Sequence, residues 1–524
     1  MTNKTIHTAI AAPGAGKTQT VINKIPELIR HGRKIVMALP TLSLNNDILD
    51  SMTKANLKPR IINSKQDEVK HNKTSVTRAI TDSLLKGDDN LIIITHDGLR
   101  RINPVLLRGY ILIVDELPEI MDINHFTLNR EDAEPVFAVT NTFNNQLQIK
   151  DNQLAEIKDR VKTYKTSIVD KESASTLSAL EHKIFDALLT NNIVHYDTDT
   201  EEKTTFHIVV DKSVFPQIDQ ASETHVLAAN IQGGMFDLFA RKLGYQYKES
   251  LFTPKPTTYN CDIYIYPMLN CSWSKLKVLA DNQGPQKHTH TGENNQIIDR
   301  IFDTALQHTP NEKFLVVRNS WAKFSENYRS SAKETRTEIK FVKMDCRGLN
   351  CFQDSTAALL LFSGKPSPND RKSLKVLGDK HGIDLKDLID AWVVKNKFEA
   401  SLQAVTRTAI RTHGNTKPVY FYVQDIEVAD YLKETYMKNA IIDDRLALTV
   451  TAKPDGRSAT PSNEKTKAFT FIRHAIGNGT KPAKINKALI EIWNLPATTA
   501  RRWTRMVQKS IRFKSAEGLE AFFE

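Results

Sequence analysis

In the first 120 residues, runs 34–39, 91–95 and 110–114 are apolar at nearly every position, and a short β-like run, 5–10, precedes them. Runs of this length without polar alternation predict strands buried on both faces, as in a parallel sheet covered by helices. Beyond residue 126 the period changes. Leu154, Ile157, Val161, Tyr164 and Ile168 recur at helical spacing, as do Leu177, Leu180, Ile184 and Leu188. A hairpin-like pair follows at 193–196 and 205–210, so residues 126–212 read as an insertion made of a helical pair and a β-hairpin. The buried-strand texture returns at 224–229, 262–266, 314–317, 358–362 and 419–423. A polar stretch with Pro and Gly at 446–466 predicts a linker, and 467–524 reads as a small all-α domain. The expected fold is α/β: one sheet domain from 1–125 with 213–255, and a second from 256–445.

At 524 residues the chain is long enough to bury several cores without metal or disulfide support. Cys261, Cys271, Cys346 and Cys351 match no zinc spacing, and they read as structural thiols. No window approaches eighteen apolar residues, and no apolar leader opens the chain. The expectation is a soluble cytoplasmic protein with no membrane partner. Charge narrows the choice of partner. The net charge is +11, and residues 453–524 hold 14 basic against 6 acidic side chains, or eight of those eleven charges. A polyanion bound at the C-terminal end is the physical reading.

The candidate chemistry begins directly after the first strand. Ala11-Ala12-Pro13-Gly14-Ala15-Gly16-Lys17-Thr18 has the spacing of a P-loop, with alanine in place of its first glycine. Small residues let consecutive N–H groups curl around phosphates, and a helix beginning at Lys17 would aim its positive end at them. Lys17 would reach the β- and γ-phosphates, and the Thr18 hydroxyl would ligate Mg²⁺. The matching carboxylates follow strand 110–114: Asp115 as the metal partner and Glu116 as the base that orients water.

From here the chain resembles the superfamily 2 helicases. The resemblance rests on residues 37–47, 92–99, 115–119, 226–230, 314–320, 345–350 and 403–411, in that order, over about 5–425 without the insertion. It implies two RecA-like domains with ATP and Mg²⁺ between them. Nucleotide contacts would come from Pro13, Gly14, Ala15, Gly16, Lys17, Thr18 and Gln19, joined by Gly348 and Asn350. Gln403, Arg407 and Arg411 would act from the opposite wall, the two arginines sharing one helix face at i,i+4 spacing. Pro40, Thr41, Thr95, His96, Arg318, Asn319 and Arg347 would touch the nucleic-acid backbone. The chain departs from the family pattern at Pro118, Ala228, Asn230 and Asn350.

The tail adds a second candidate contact. Residues 481–510 read as helix, turn at Asn494-Leu495-Pro496, and helix, resembling a helix-turn-helix. Ala500, Trp503 and Val507 fall on the inner face; Arg501, Arg502, Arg505 and Lys509 fall on the outer one. The function expected is an ATP-dependent DNA helicase or translocase acting on single-stranded or forked DNA, and on duplex through the tail. A duplex translocase, an RNA helicase, or an ATP-switched site-specific DNA-binding regulator or replication initiator are the alternatives.

Overall fold

The computed structural model describes residues 4–40, 44–64, 75–169, 177–200, 203–256, 259–281, 284–285, 296–322, 337–344, 352–412, 414–450, 462–493 and 495–517. They fall into two units, Met1–Val450 and Thr451–Glu524. No described helix is long and apolar enough to cross a membrane.

The predicted strands of the first lobe form one parallel sheet in the spatial order Gln246–Glu249, Thr5–Ile10, Glu223–Ala228, Tyr110–Asp115, Lys34–Leu39, Leu91–Thr95, Arg60–Ile61. The sequence pattern missed only the two edges, which are short and carry no continuous apolar run. Ile6, Val36, Ile92, Leu112 and Val226 fill one face of the sheet. Ala9, Ile35, Met37, Ile93 and Leu227 fill the other, against Val21, Ile22 and Ile25 of helix Lys17–Arg30. Because every strand runs the same way, the loops that follow Ile10, Leu39, Thr95, Asp115 and Ala228 gather at one edge.

A second parallel sheet, in the order Glu338–Lys343, Lys313–Arg318, Ala357–Leu361, Val419–Val423, Ile263–Pro267, Ile441–Ile442, makes the other lobe. The pair constitutes two α/β lobes, each built on a parallel sheet. The linker starts later than residue 446: Leu446, Leu448 and Val450 still pack on the second lobe, and Leu448 bridges Leu269.

The insertion is larger than its sequence suggested. Helices Leu154–Val169 and Ala179–Leu189 and the hairpin Ile193–Thr200 with Lys203–Asp211 form as expected. They belong to a five-stranded antiparallel sheet completed by Met121–Asn129, Thr140–Phe143 and Gln146–Ile149, with a third helix, Arg130–Ala138. Asn144 and Asn145, with φ of 47° and 59°, make the tight turn of the small hairpin. Strand Met121–Asn129 escaped detection because His125 and Thr127 interrupt its apolar pattern. Each has a polar partner directly across the ladder, His207 and Thr205.

Two helices of the second lobe, Pro368–His381 and Leu385–Val393, cross over to the first. Leu374, Leu377, Leu388 and Ala391 are buried in the first lobe's core cluster, together with Phe236 and Phe239. The first of these helices, Pro368–His381, also seals the insertion through polar groups. His125 Nε2 lies 2.9 Å from Asp370 Oδ1, His195 Nε2 lies 3.1 Å from Ser373 Oγ, and Lys372 Nζ lies 2.8 Å from Asp197. Asp197 also meets His207 Nε2 at 2.9 Å.

The C-terminal unit has one more helix than the sequence suggested. Ser462–Gly477, Pro482–Trp493 and Ala497–Glu517 enclose Ile472, Ile485, Leu489, Ala500, Trp503 and Val507. Trp503 is core, edge-on to Phe469 at 5.3 Å, while Arg501, Arg502 and Arg505 are exposed.

The imidazole cluster generates a pH prediction. Burial, then the neighbouring His207, lowers His195 from 6.5 to about 4. The unfolded chain therefore binds this proton between pH 4 and 6.5 when the folded chain does not, and stability rises with pH across that window. The expected contribution is about 3 kcal/mol at neutral pH, lost progressively on acidification. Denaturant titrations at pH 7 and pH 4.5 should show this slope, and His195→Asn should flatten it.

Candidate active site

The glycine turn is built by backbone constraints. Ala11 N donates to Ala228 O at 3.2 Å, and Ala15 N to Ala12 O at 3.1 Å. Gly14 and Gly16 take φ of 84° and 81°, a region open to glycine and strained for other residues. Helix Lys17–Arg30 then starts with Gly16 as its N-cap, which has no side chain to satisfy the first N–H groups. Those donors and the helix dipole make an anion cradle. Lys17 Nζ donates to Ala11 O at 2.6 Å and Ala12 O at 3.0 Å, holding the loop closed. Desolvation lowers its pKa to about 8, against the attraction of Asp115 and Glu116.

Strand Tyr110–Asp115 brings the carboxylates beside this cradle. Thr18 Oγ1 donates to Asp115 Oδ2 at 3.1 Å, joining the predicted metal partners directly. Asp115 is 6% exposed; burial and the charge of Glu116 push it up to about 6, opposed by Thr18 and Lys17. Glu116 itself has φ of 63°, a left-handed non-glycine residue at the strand end. Such positions cost about 1–3 kcal/mol and cluster at functional sites. A hydroxyl and a carboxylate oxygen in contact suit a hard cation such as Mg²⁺.

The facing wall comes from the second lobe, and there the expected shared helix face is corrected. The helix carrying Gln403, Ala400–Val405, stops short of both arginines. Thr406 Oγ1 bonds back to Leu402 O at 2.7 Å and Thr408 Oγ1 to Val405 O at 2.7 Å, drawing the chain out of the helix. Arg407 lies in the turn and Arg411 ends the 3₁₀ turn Ala409–Arg411. They still converge. Arg407 is 5% exposed and 3.5 Å from Gln403 Oε1. The Arg411 side chain lies on the glycine turn so closely that a Cβ on Gly14 would come 2.9 Å from its Cγ. Burial, then the Arg407 charge, lowers the Arg411 guanidinium below its usual value, while Glu116 opposes the shift.

One cavity of about 630 Å³ is lined by Pro13, Gly14, Gly16, Lys17, Thr18, Gln19, Asp115 and Glu116 from one lobe, and by Gln403, Arg407 and Arg411 from the other. That volume suits a small-molecule ligand or cofactor. It also holds Glu399, which sequence reading missed. Burial raises the Glu399 carboxyl; Tyr431 donates to it and Asn230 bonds it, both opposing the shift. Asn230 follows strand Glu223–Ala228 of the first lobe, so this contact crosses between lobes. The signal available was a carboxylate four residues before Gln403, obscured because Glu399 ends a π-helical turn, Val394–Glu399. Gly364 permits that turn: a Cβ there would meet Asn396 O at 2.3 Å.

The predicted nucleic-acid contacts are less uniform. Pro40 is half-buried at the end of its strand. Thr95 caps the next helix by accepting from Gly98 N at 3.1 Å, and His96 Nε2 lies 3.0 Å from Asp115 O. Arg318 donates to Ala322 O and covers the Phe341 ring at 4.6 Å, while Asn319 Oδ1 accepts from Ser363 N at 3.3 Å. Thr41, Arg347, Gly348 and Asn350 lie outside the described residues, as does the side chain of Lys509.

No protein-family model matches the chain, and no curated protein matches it. Among solved structures it is similar to S. tokodaii Xpd4, at 12% identity and a TM-score of 0.48, covering 84% of this chain and 96% of that one. It is similar also to S. cerevisiae Dbp5 bound to RNA and ADP BeF3, at 8% identity and a TM-score of 0.34, covering 86% of each chain. A third is the NS3-like helicase from Alongshan virus, at 8% identity and a TM-score of 0.30, covering 81% of this chain and 74% of that one. At such distances the two-lobe assignment stands on the chain's own strand order rather than on these superpositions.

Proposed function

We propose that the chain is an ATP-dependent DNA helicase or translocase that hydrolyses ATP between its two lobes and converts the cycle into movement along nucleic acid. The observation that carries this reading is the contact of Arg411 with Gly14, which puts cationic groups of one lobe against the phosphate loop of the other. The ordered helicase-like segments support the nucleic-acid half, and the basic C-terminal unit supports a DNA partner.

Bound ATP with Mg²⁺ would supply the phosphoanhydride and its free energy. Lys17 exchanges the carbonyls of Ala11 and Ala12 for the β- and γ-phosphates. Thr18 and Asp115 would hold the metal from the first lobe, where Glu116 would orient the attacking water. Arg407 and Arg411 neutralise charge on the γ-phosphoryl oxygens from the second lobe, a task suited to a planar guanidinium. Gln403 and Glu399 line the same wall, where Glu399 ties Tyr431 to Asn230.

Lys17→Ala should abolish ATP hydrolysis, and Arg411→Ala should slow it by at least about 100-fold with nucleotide affinity changed far less. Turnover and binding of a fluorescent ATP analogue measure both; unaltered turnover in Arg411→Ala contradicts the two-lobe site. Burial and Glu116 push the Asp115 carboxyl of the nucleotide-free chain up to about 6, so protons compete with Mg²⁺ there and the Mg²⁺ affinity of that chain should weaken as pH falls through this value, as a metal titration at pH 7.5 and pH 5.5 would show. Forked DNA, blunt duplex and RNA should then be compared as stimulators. Stimulation by DNA supports the motor; turnover indifferent to every nucleic acid identifies an ATP-dependent switch instead. Removal of residues 451–524 should keep the basal rate and weaken duplex binding, with a shallower dependence of log affinity on log salt.

A further inference from the structure

Away from the cleft, the strand that leads into the glycine turn carries a second polar cluster. His7 and His225 are paired across the parallel strands Thr5–Ile10 and Glu223–Ala228, with ring centroids 5.0 Å apart, and Glu223 opens the second strand. Glu223 Oε1 is 2.9 Å from Nε2 of His225 and 4.0 Å from Nε2 of His7. One ligand atom from each residue falls within 4.8 Å of the others.

The remaining ring nitrogens are held by the protein. His7 Nδ1 lies 3.4 Å from Glu249 O, an acceptor only, so the proton is on Nδ1 and Nε2 presents a lone pair. His225 Nδ1 lies 2.8 Å from Ser250 Oγ. Orientation of a histidine through its other nitrogen is what metal sites require. Nε2 of His225 is buried and makes no hydrogen bond of good geometry among the described residues, although Glu223 lies beside it.

We propose that His7, Glu223 and His225 form a binding site for a divalent transition-metal ion of the zinc type. Two imidazoles and one carboxylate are a zinc donor set, and His7 and Glu223, about 28% and 27% exposed, leave the fourth position open to water. Arg33, 3.3 Å from Glu223 Oε2, keeps its partner on the second carboxylate oxygen. Bound metal would cross-link the strand that feeds the glycine turn to the strand that ends before Asn230, and would stabilise the first lobe by binding only the folded chain.

The test uses the full chain stripped with a chelator and titrated with Co²⁺, whose ligand-field absorption reports four-coordination. The expected result is one Co²⁺ per chain, displaced by Zn²⁺ and not by Mg²⁺, with a thermal midpoint several degrees higher when metal is bound. His7→Gln and Glu223→Gln should each weaken binding at least tenfold while the ATPase rate is unchanged, and Lys17→Ala should bind Co²⁺ normally. Absence of saturable one-to-one binding, or binding indifferent to His7→Gln and Glu223→Gln, overturns the proposal. The site is independent of the hydrolase reading, so either can fail alone.

Discussion

The structure turns on the closeness of one arginine to one glycine. Arg411 occupies the space that any side chain at position 14 would need, so the loop that would hold phosphate and the arginine that would balance its charge form a single surface. Both sheets must deliver their loops to this contact. Parallel strands do so because their ends all emerge at one edge, and the acidic strand, with Asp115 at its end, lies one strand away from the strand of the glycine turn.

Holding the lobes in this arrangement costs orientational freedom, and the chain offsets it with apolar burial. Helices Pro368–His381 and Leu385–Val393 belong to the second lobe by sequence, yet Leu374, Leu377, Leu388 and Ala391 complete the first lobe's core. The polar side of Pro368–His381 docks the insertion through His125, His195 and Asp197. Directly after them the chain passes through the π-helical turn that supplies Glu399 and enters the helix of Gln403. The segment that fastens the lobes is therefore continuous with the segment that lines the cavity.

Much of this was legible in the residues themselves. Strands Lys34–Leu39, Leu91–Thr95, Tyr110–Asp115 and Ala357–Leu361 showed as nearly unbroken apolar runs, because a strand buried on both faces can tolerate little else, whereas Thr5–Ile10 and Glu223–Ala228 carry His7 and His225 within them. The left-handed glycines of the turn and the contact of Thr18 with Asp115 were legible because both follow from particular residue types at fixed spacing. Strand Met121–Asn129 was hidden by His125 and Thr127, whose polarity is satisfied by partners about eighty positions away and, for His125, also by Asp370. The strap was hidden for a related reason: an amphipathic helix declares that it has a buried face, not which lobe covers it. Arg407 and Arg411 were identified as residues but misplaced on one helix, since the back-bonding of Thr406 and Thr408 that ends the helix leaves no mark in the apolar pattern. Glu399 needed the π-helical turn to be known before its position could be read.

The central claim is that both lobes act on one nucleotide. A crystal structure of the full chain with Mg²⁺ and a non-hydrolysable ATP analogue tests it most directly. The account predicts Lys17 Nζ moved from the carbonyls of Ala11 and Ala12 onto the phosphates, the metal on Thr18 and Asp115, and the guanidinium groups of Arg407 and Arg411 within hydrogen-bond reach of the γ-phosphate. An analogue held by the first lobe alone, with both arginines turned away from it, would contradict the account.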